Sequence, residues 1–202
     1  MAPQAAPGEQ YTIRRKVFKL FGASFHIYNE QGAVVGYCNQ KAFKLREDIR
    51  IYTDESMQKE LLRINTQQII DFSAAYTVAL GDGTVLGIMK RKGLKSTFLR
   101  DEWLILSPQG AQLAVLRERG SFMAFLRRWI DYVALFSPQK FDLIRDDGSH
   151  AAAFRQHFNW FVYRLGVAIT RDDKDRDDGI DDMMILAMGC LICAIEGRQS
   201  NA

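Results

Sequence analysis

The chain has 202 residues, 27 Lys+Arg against 24 Asp+Glu and a net charge of +3. An apolar fraction of 48% is enough for an ordinary globular core, and so small a net charge gives no reason to expect nucleic acid as a partner. The charge is unevenly spread: residues 1–101 hold 15 Lys+Arg and 10 Asp+Glu, residues 102–202 hold 12 and 14, so an anionic partner meets the first half more favourably.

The opening ten residues, MAPQAAPGEQ, combine Pro, Ala and Gln with no basic start and no apolar run. They read as a disordered leader rather than a secretory signal, which places the protein in the cytoplasm, and order is expected from residue 11 to residue 199 as a single domain. Arg14, Arg15, Lys16 and Lys19, interleaved with Val17, Phe18, Leu20 and Phe21, suit the outward face of a first strand or helix better than a segment lying on a membrane.

Short β-rich or alternating runs then recur: Phe25–Tyr28, Val34–Tyr37, Ile49–Tyr52, Ala75–Leu80, Val85–Met89, Trp103–Leu106, Leu113–Leu116, Phe141–Ile144 and Val162–Ile169. Turn signals separate them at Asn29–Gly32, Gly81–Gly83, Ser107–Gly110 and Asp146–Gly148. Ser121–Phe136 carries Phe122, Phe125, Leu126, Trp129, Ile130 and Val133 at helical spacing, which predicts a helix packed across the outside or end of the fold rather than one lying on a membrane. The aspartate-rich run from Asp172 to Asp182 has alternate acids, but its glycine is one place late for a calcium loop and Met184 stands where the bidentate Glu belongs. A solvated loop is expected there.

From Met183 to Ile195 no side chain is charged or strongly polar. Thirteen helical residues span about 20 Å, short of the roughly 30 Å of a bilayer core. A helix apolar on all sides belongs at the centre of a fold, with Asp181 and Asp182 capping its start and Gly197 its end. Cys190 and Cys193 lie inside this run. With Cys38 as the third cysteine, no second pair and no adjacent histidine, they read as small buried side chains and not as a metal or redox site.

The sequence also repeats. QGAVVGYCNQKAFKLREDIRIY (residues 31–52) matches DGTVLGIMKRKGLKSTFLRDEWLIL (residues 82–106) in a turn, Val-x-Gly, a basic residue, Leu-Arg-acid and a β-rich close. A fainter copy starts at Asp147. Three groups of about four strands would close a barrel of roughly a dozen strands, wide enough to hold more than its own side chains. The apolar helix needs a coat and such a barrel needs a filling. The expected fold is therefore a β class, roughly twelve-stranded antiparallel barrel around the C-terminal α-helix.

The KLRED and FLRDEW repeats, with the apolar helix at the end, resemble the LURP-one-related proteins, which group with tubby C-terminal domains and phospholipid scramblases. The resemblance spans about residues 11–199. It implies a twelve-stranded barrel around a hydrophobic helix, contact with membrane phospholipid, and no enzymatic active site. The chain lacks the long proline-rich segment and the cysteine-rich stretch of scramblases.

Lys90, Arg91, Lys92 and Lys95 place four cations in six residues around a glycine, the pattern that best suits phosphate groups or an anionic bilayer. The competing role is a solvated loop whose cations guard a sheet edge. Neither P-loop nor dinucleotide nor Gly-x-Ser-x-Gly patterns occur, and His26, His150 and His157 have no metal spacing. The reading is a non-enzymatic protein binding anionic phospholipid or a membrane surface, with no cofactor, metal or nucleic acid. The alternatives are a stress- or defence-related scaffold whose partner is another protein, and a scramblase-like membrane protein.

Overall fold

The computed structural model describes residues 5–16, 23–40, 49–67, 75–92, 102–119, 139–157, 162–170 and 180–199. Twelve antiparallel strands follow one another: β1 (Tyr11–Lys16), β2 (Ala23–Asn29), β3 (Val34–Gln40), β4 (Ile49–Tyr52), β5 (Glu60–Gln67), β6 (Ala75–Leu80), β7 (Val85–Arg91), β8 (Trp103–Leu106), β9 (Gln112–Glu118), β10 (Lys140–Arg145), β11 (His150–His157) and β12 (Val162–Ile169). Each pairs with its sequence neighbour, and β1 closes the ring on β12 from Tyr11↔Val167 to Lys16↔Val162. The helix α1 (Asp182–Gln199) follows the last strand. This is the expected barrel, and closure leaves no unpaired sheet edge.

The two ends of the barrel differ. At one, here the turn end, tight hairpins join the strands. Gly32, Gly83, Gly110 and Gly148 sit there at φ 77–93°, and each donates its N–H to the carbonyl three residues earlier at 2.9–3.0 Å. The left-handed backbone is open to glycine without the Cβ penalty, so the turn signals in the sequence are hairpins in the structure. Three of these glycines stand before β3, β7 and β11, so the sequence repeat recurs every four strands. At the opposite end, here the loop end, odd-numbered strands finish and even-numbered strands begin.

Along every strand one side chain in two points inward. Ile13, Phe25, Ile27, Ile51, Leu62 and Ile64 are fully buried. Eight strands enclose only enough room for side chains, and twelve enclose a helix. α1 occupies that room: every side chain from Met184 to Ala194, Gly189 aside, is 0–6% exposed. It packs closest against β12 and β1. No helix among the described residues is long and apolar enough to cross a membrane.

Both ends of α1 obey the macrodipole. Asp181 stands at the N-terminus, its carboxylate accepting from the Met183 N–H at 2.7 Å while its carbonyl accepts from Met184 at 2.8 Å. Towards the other end Arg15 turns inward from β1 and donates to the Cys193 carbonyl at 3.2 Å, placing a cation near the negative pole. Gly197 is not the C-cap expected of it: the helix continues through it to Gln199. Cys190 and Cys193 are buried free thiols, as is Cys38. Burial pushes the Cys38 thiol up to about 12 and the Cys190 thiol well above its ordinary value, so both stay protonated and behave as apolar side chains.

The leader also differs from expectation. Residues 5–10, read as disordered, are tied to the barrel. The Gln10 N–H donates to the Val167 carbonyl at 2.9 Å, and the Gln10 side chain accepts from the Ile169 N–H at 2.6 Å. Glu9 is only 7% exposed and its carboxylate accepts from His157 Nε2 at 2.6 Å. Glu9 lies against Gly166, where a Cβ would overlap its carboxyl group. Composition hid this contact because it rests on one absent side chain 157 residues away.

Gly166→Ala is therefore expected to expel Glu9 and lower stability by about 2–3 kcal/mol, the cost of overpacking plus a broken buried pair. In a Glu9→Ala background the same substitution should cost less than about 1 kcal/mol, since the collision is gone. Denaturant unfolding of the four chains checks this. Equal costs in both backgrounds would show that Glu9 does not fill the niche.

Candidate functional site

The basic run found in the sequence is split by strand geometry. Lys90 and Arg91 are the last residues of β7, and Lys92 follows directly. Alternation turns Lys90 outward, where it is exposed and forms no ion pair among the described residues. Arg91, on the other face beside Trp103 of β8, is half-buried. Lys92 is exposed but engaged: its Nζ lies 3.0 Å from Glu102 Oε2, and its N–H donates to the Glu102 carbonyl at 2.9 Å. Arg117 Nε lies 3.1 Å from the other Glu102 oxygen. Burial opposes ionisation of Glu102, but the hydrogen bond and charge of Lys92, joined by Arg117, outweigh it and hold the carboxyl below its usual range. Lys92 thus ties β7 to β8 as well as adding charge. Lys95 lies outside the described residues.

The wider setting of that run is what the sequence did not display. At the loop end, β1, β7, β9, β10, β11 and β12 each carry a Lys or Arg within three residues of their limit. Lys140 and Arg155 stand opposite one another on β10 and β11, both exposed, and like Lys90 neither pairs with an acid among the described residues. The turn end has the reverse sign. Asp54, Asp82 and Asp147 brace their turns through N–H bonds from Ser56, Thr84 and Ser149 at 2.8–2.9 Å. The Ser56 hydrogen bonds hold the Asp54 carboxyl below its usual range, and the Thr84 hydrogen bonds do the same for Asp82. Asp181 and Asp182 stand where α1 enters. The barrel is an electric dipole, and its charges oppose the poles of the helix inside it, an arrangement that stabilises both.

A second constellation lies on the outer wall, across the ring from β7. The register places His157 of β11, Arg164 of β12, Arg14 of β1 and His26 of β2 side by side. A carboxylate closes the row at each end: Glu9 on His157 at 2.6 Å and Glu55 on His26 at 2.7 Å. Glu55 belongs to the β4–β5 connection, so this contact holds that loop over β2 and β3. The loop contains Met57 at φ 55°, a conformation rarely taken by a residue with a side chain. Between loop and wall runs a groove of about 730 Å³, lined by Arg14 of β1, Ser24 and Tyr28 of β2, Tyr37 of β3, and Asp54 and Glu55 of the loop. The His26 ring lies 5.0 Å from that of Tyr37 and 6.1 Å from that of Tyr28. Arg14 is half-buried and has no partner among the described residues.

Of the second basic cluster in the sequence, Arg14 faces outward as expected, Arg15 faces the helix, and Lys19 lies outside the described residues. So do the Ser121–Phe136 segment and, of the aspartate-rich run from Asp172 to Asp182, the aspartates up to Asp178. No group of three or more His, Cys, Asp or Glu able to hold a metal occurs among the described residues. No protein-family model matches the chain, and no curated protein is significantly similar to it.

Proposed function

We propose that the protein binds anionic phospholipid at a membrane surface, end-on, with the loop end of the barrel facing the lipid. The observation that supports this most is the distribution of charge: Lys90, Lys140 and Arg155 at one end are exposed and form no ion pair among the described residues, while Asp54, Asp82 and Asp147 stand at the other. In the field of an anionic membrane such a dipole is both attracted and turned, so the acidic end points away. Each cation near the surface contributes about 1 kcal/mol. Three contribute about 3 kcal/mol, a preference on the order of 100-fold over a neutral bilayer. The resemblance to LURP-one-related and tubby-like barrels points the same way. The protein carries out no chemistry in this reading; it is a peripheral adaptor whose core, α1 included, stays closed.

Co-sedimentation with neutral and anionic vesicles at low and physiological salt tests it. The protein should pellet with anionic vesicles only, less so as salt rises. A variant with Lys90, Arg91, Lys92 and Lys95 changed to Glu should stay in the supernatant. A variant with Lys140 and Arg155 changed to Glu should weaken binding about as much per charge, because the whole end is engaged. Binding unaffected by either set overturns the reading. A chain that pellets with neither kind of vesicle would instead turn attention to a protein partner.

A further inference from the structure

We infer that the groove on the outer wall of β1, β2 and β3 is a binding site for a short zwitterionic phosphoester, a phosphate joined to an ammonium by two carbons, as in phosphocholine. This site is separate from the basic run Lys90–Lys92: in a ring of twelve strands β1 stands opposite β7.

The two halves of the ligand are set by the two sides of His26 in the register row, Arg14 on β1 and Tyr37 on β3. On the β1 side Arg14 offers a guanidinium with no partner among the described residues, in a groove that Ser24 also lines, and next to Arg164 in the register. A second arginine directly opposite on the adjacent strand adds to the positive field that an anion meets there. A planar guanidinium donates two parallel bonds to a phosphate oxygen pair. On the β3 side Tyr37, with Tyr28 of β2, lines the groove together with Glu55 and Asp54 of the loop. Aromatic faces backed by a carboxylate attract a quaternary or primary ammonium and reject a second anion. Glu55 keeps most of its side chain in solvent, at 72% exposure, even while it accepts from His26.

The spacing fits as well. Arg14, His26 and Tyr37 lie in one register row on three successive strands. Adjacent strands are about 4.8 Å apart. A ligand seated over His26, with its phosphate leaning to β1 and its ammonium to β3, spans roughly one such spacing, the reach of a two-carbon link. A longer dianion would place charge against Glu55, and a simple cation would leave Arg14 unanswered.

Phosphocholine, inorganic phosphate and choline should be titrated separately into the full chain, followed by the ring signals of Tyr28 and Tyr37 and the Arg14 Nε–H in NMR spectra. Phosphocholine is expected to saturate at millimolar concentrations and to bind at least about tenfold tighter than either half alone, since only the whole ester engages both sides. Arg14→Gln, which breaks no bond among the described residues, should weaken it about tenfold. Tyr37→Leu should weaken it severalfold, and the loop-end variant Lys90→Glu with Lys92→Glu should leave it unchanged. Failure to saturate, equal affinity for choline alone, or unchanged binding in Arg14→Gln would overturn the inference. Neutral phosphatidylcholine vesicles then separate the sources. Pelleting that is lost in Arg14→Gln identifies a lipid headgroup, and binding of the free ester without pelleting identifies a soluble one.

Discussion

A chain lacking residues 183–199 will not fold. The magnitudes leave no margin. Met184, Ile185, Leu186, Met188, Leu191 and Ile192 are each 6% exposed or less. Burying one such side chain is worth about 1.5–3 kcal/mol, so six supply roughly 9–18 kcal/mol. The net stability of a domain is only about 5–15 kcal/mol. The loss is doubled in effect, because Ile13, Phe154 and Val167 on the wall lose the surface they pack against. A twelve-stranded ring without a filling would hold a channel lined by Ile, Leu and Phe, which water does not stabilise. Circular dichroism and thermal melts of the truncated chain check this. A soluble product with a cooperative transition would mean that the strands carry the fold alone.

That expectation was available from residues 183–195 because their message is coarse: a run too short for a bilayer and too apolar for a surface leaves few places to go. The strands were legible where alternation was clean, as in Ile49–Tyr52, Ala75–Leu80 and Trp103–Leu106, whose bounds agree with the structure residue for residue. β5 was not assigned: Arg63 and Asn65 face outward between the buried Leu62 and Ile64, and no glycine turn precedes the strand to mark its start. β11 was visible only as part of the faint third repeat. Its inward positions include Ala152, a residue with no strand preference that is buried here at 1% exposure.

The functional surface was harder to read than the fold, for a physical reason. Lys90, Arg91 and Lys92 stand together in sequence, yet β-alternation sends Arg91 to the other face and Glu102 engages Lys92. Charge at the loop end comes instead from strands far apart in sequence, and their common sense follows only from knowing that odd strands run one way and even strands the other. The outer-wall groove is less legible still. Arg14, His26 and Tyr37 share one row only after the register of three strands is fixed, and Glu55 joins them from a loop. The outward period of β1 and β2 was the one signal in the sequence that pointed to it.

Gly189 is expected to accept alanine and to reject a larger side chain. It faces the wall where the helix comes nearest: a Cβ placed there would lie 3.0 Å from Ile13 Cδ1, 3.3 Å from Val167 Cγ2 and 3.4 Å from Phe154 Cε1. Two effects oppose each other for alanine. Replacing Gly in a helix interior gains about 1 kcal/mol of helix propensity. Against it stands a shift of a few tenths of an ångström, which the flexible end of Ile13 can make. Gly189→Ala should therefore stay within about 1 kcal/mol of the parent. Gly189→Leu has no such escape, since three more carbons must enter space already filled by Ile13, Val167 and Phe154. Overpacking of this kind costs about 3 kcal/mol or more, a large part of the stability of a domain. The comparison isolates the interior of the barrel, because neither substitution touches an exposed group. If urea unfolding shows Gly189→Leu as stable as Gly189→Ala, the helix is not held against β1 and β12 in solution. If Leu alone collapses the transition and a companion Ile13→Ala restores part of it, the filling of the ring is the tight fit that the packing at Gly189 describes.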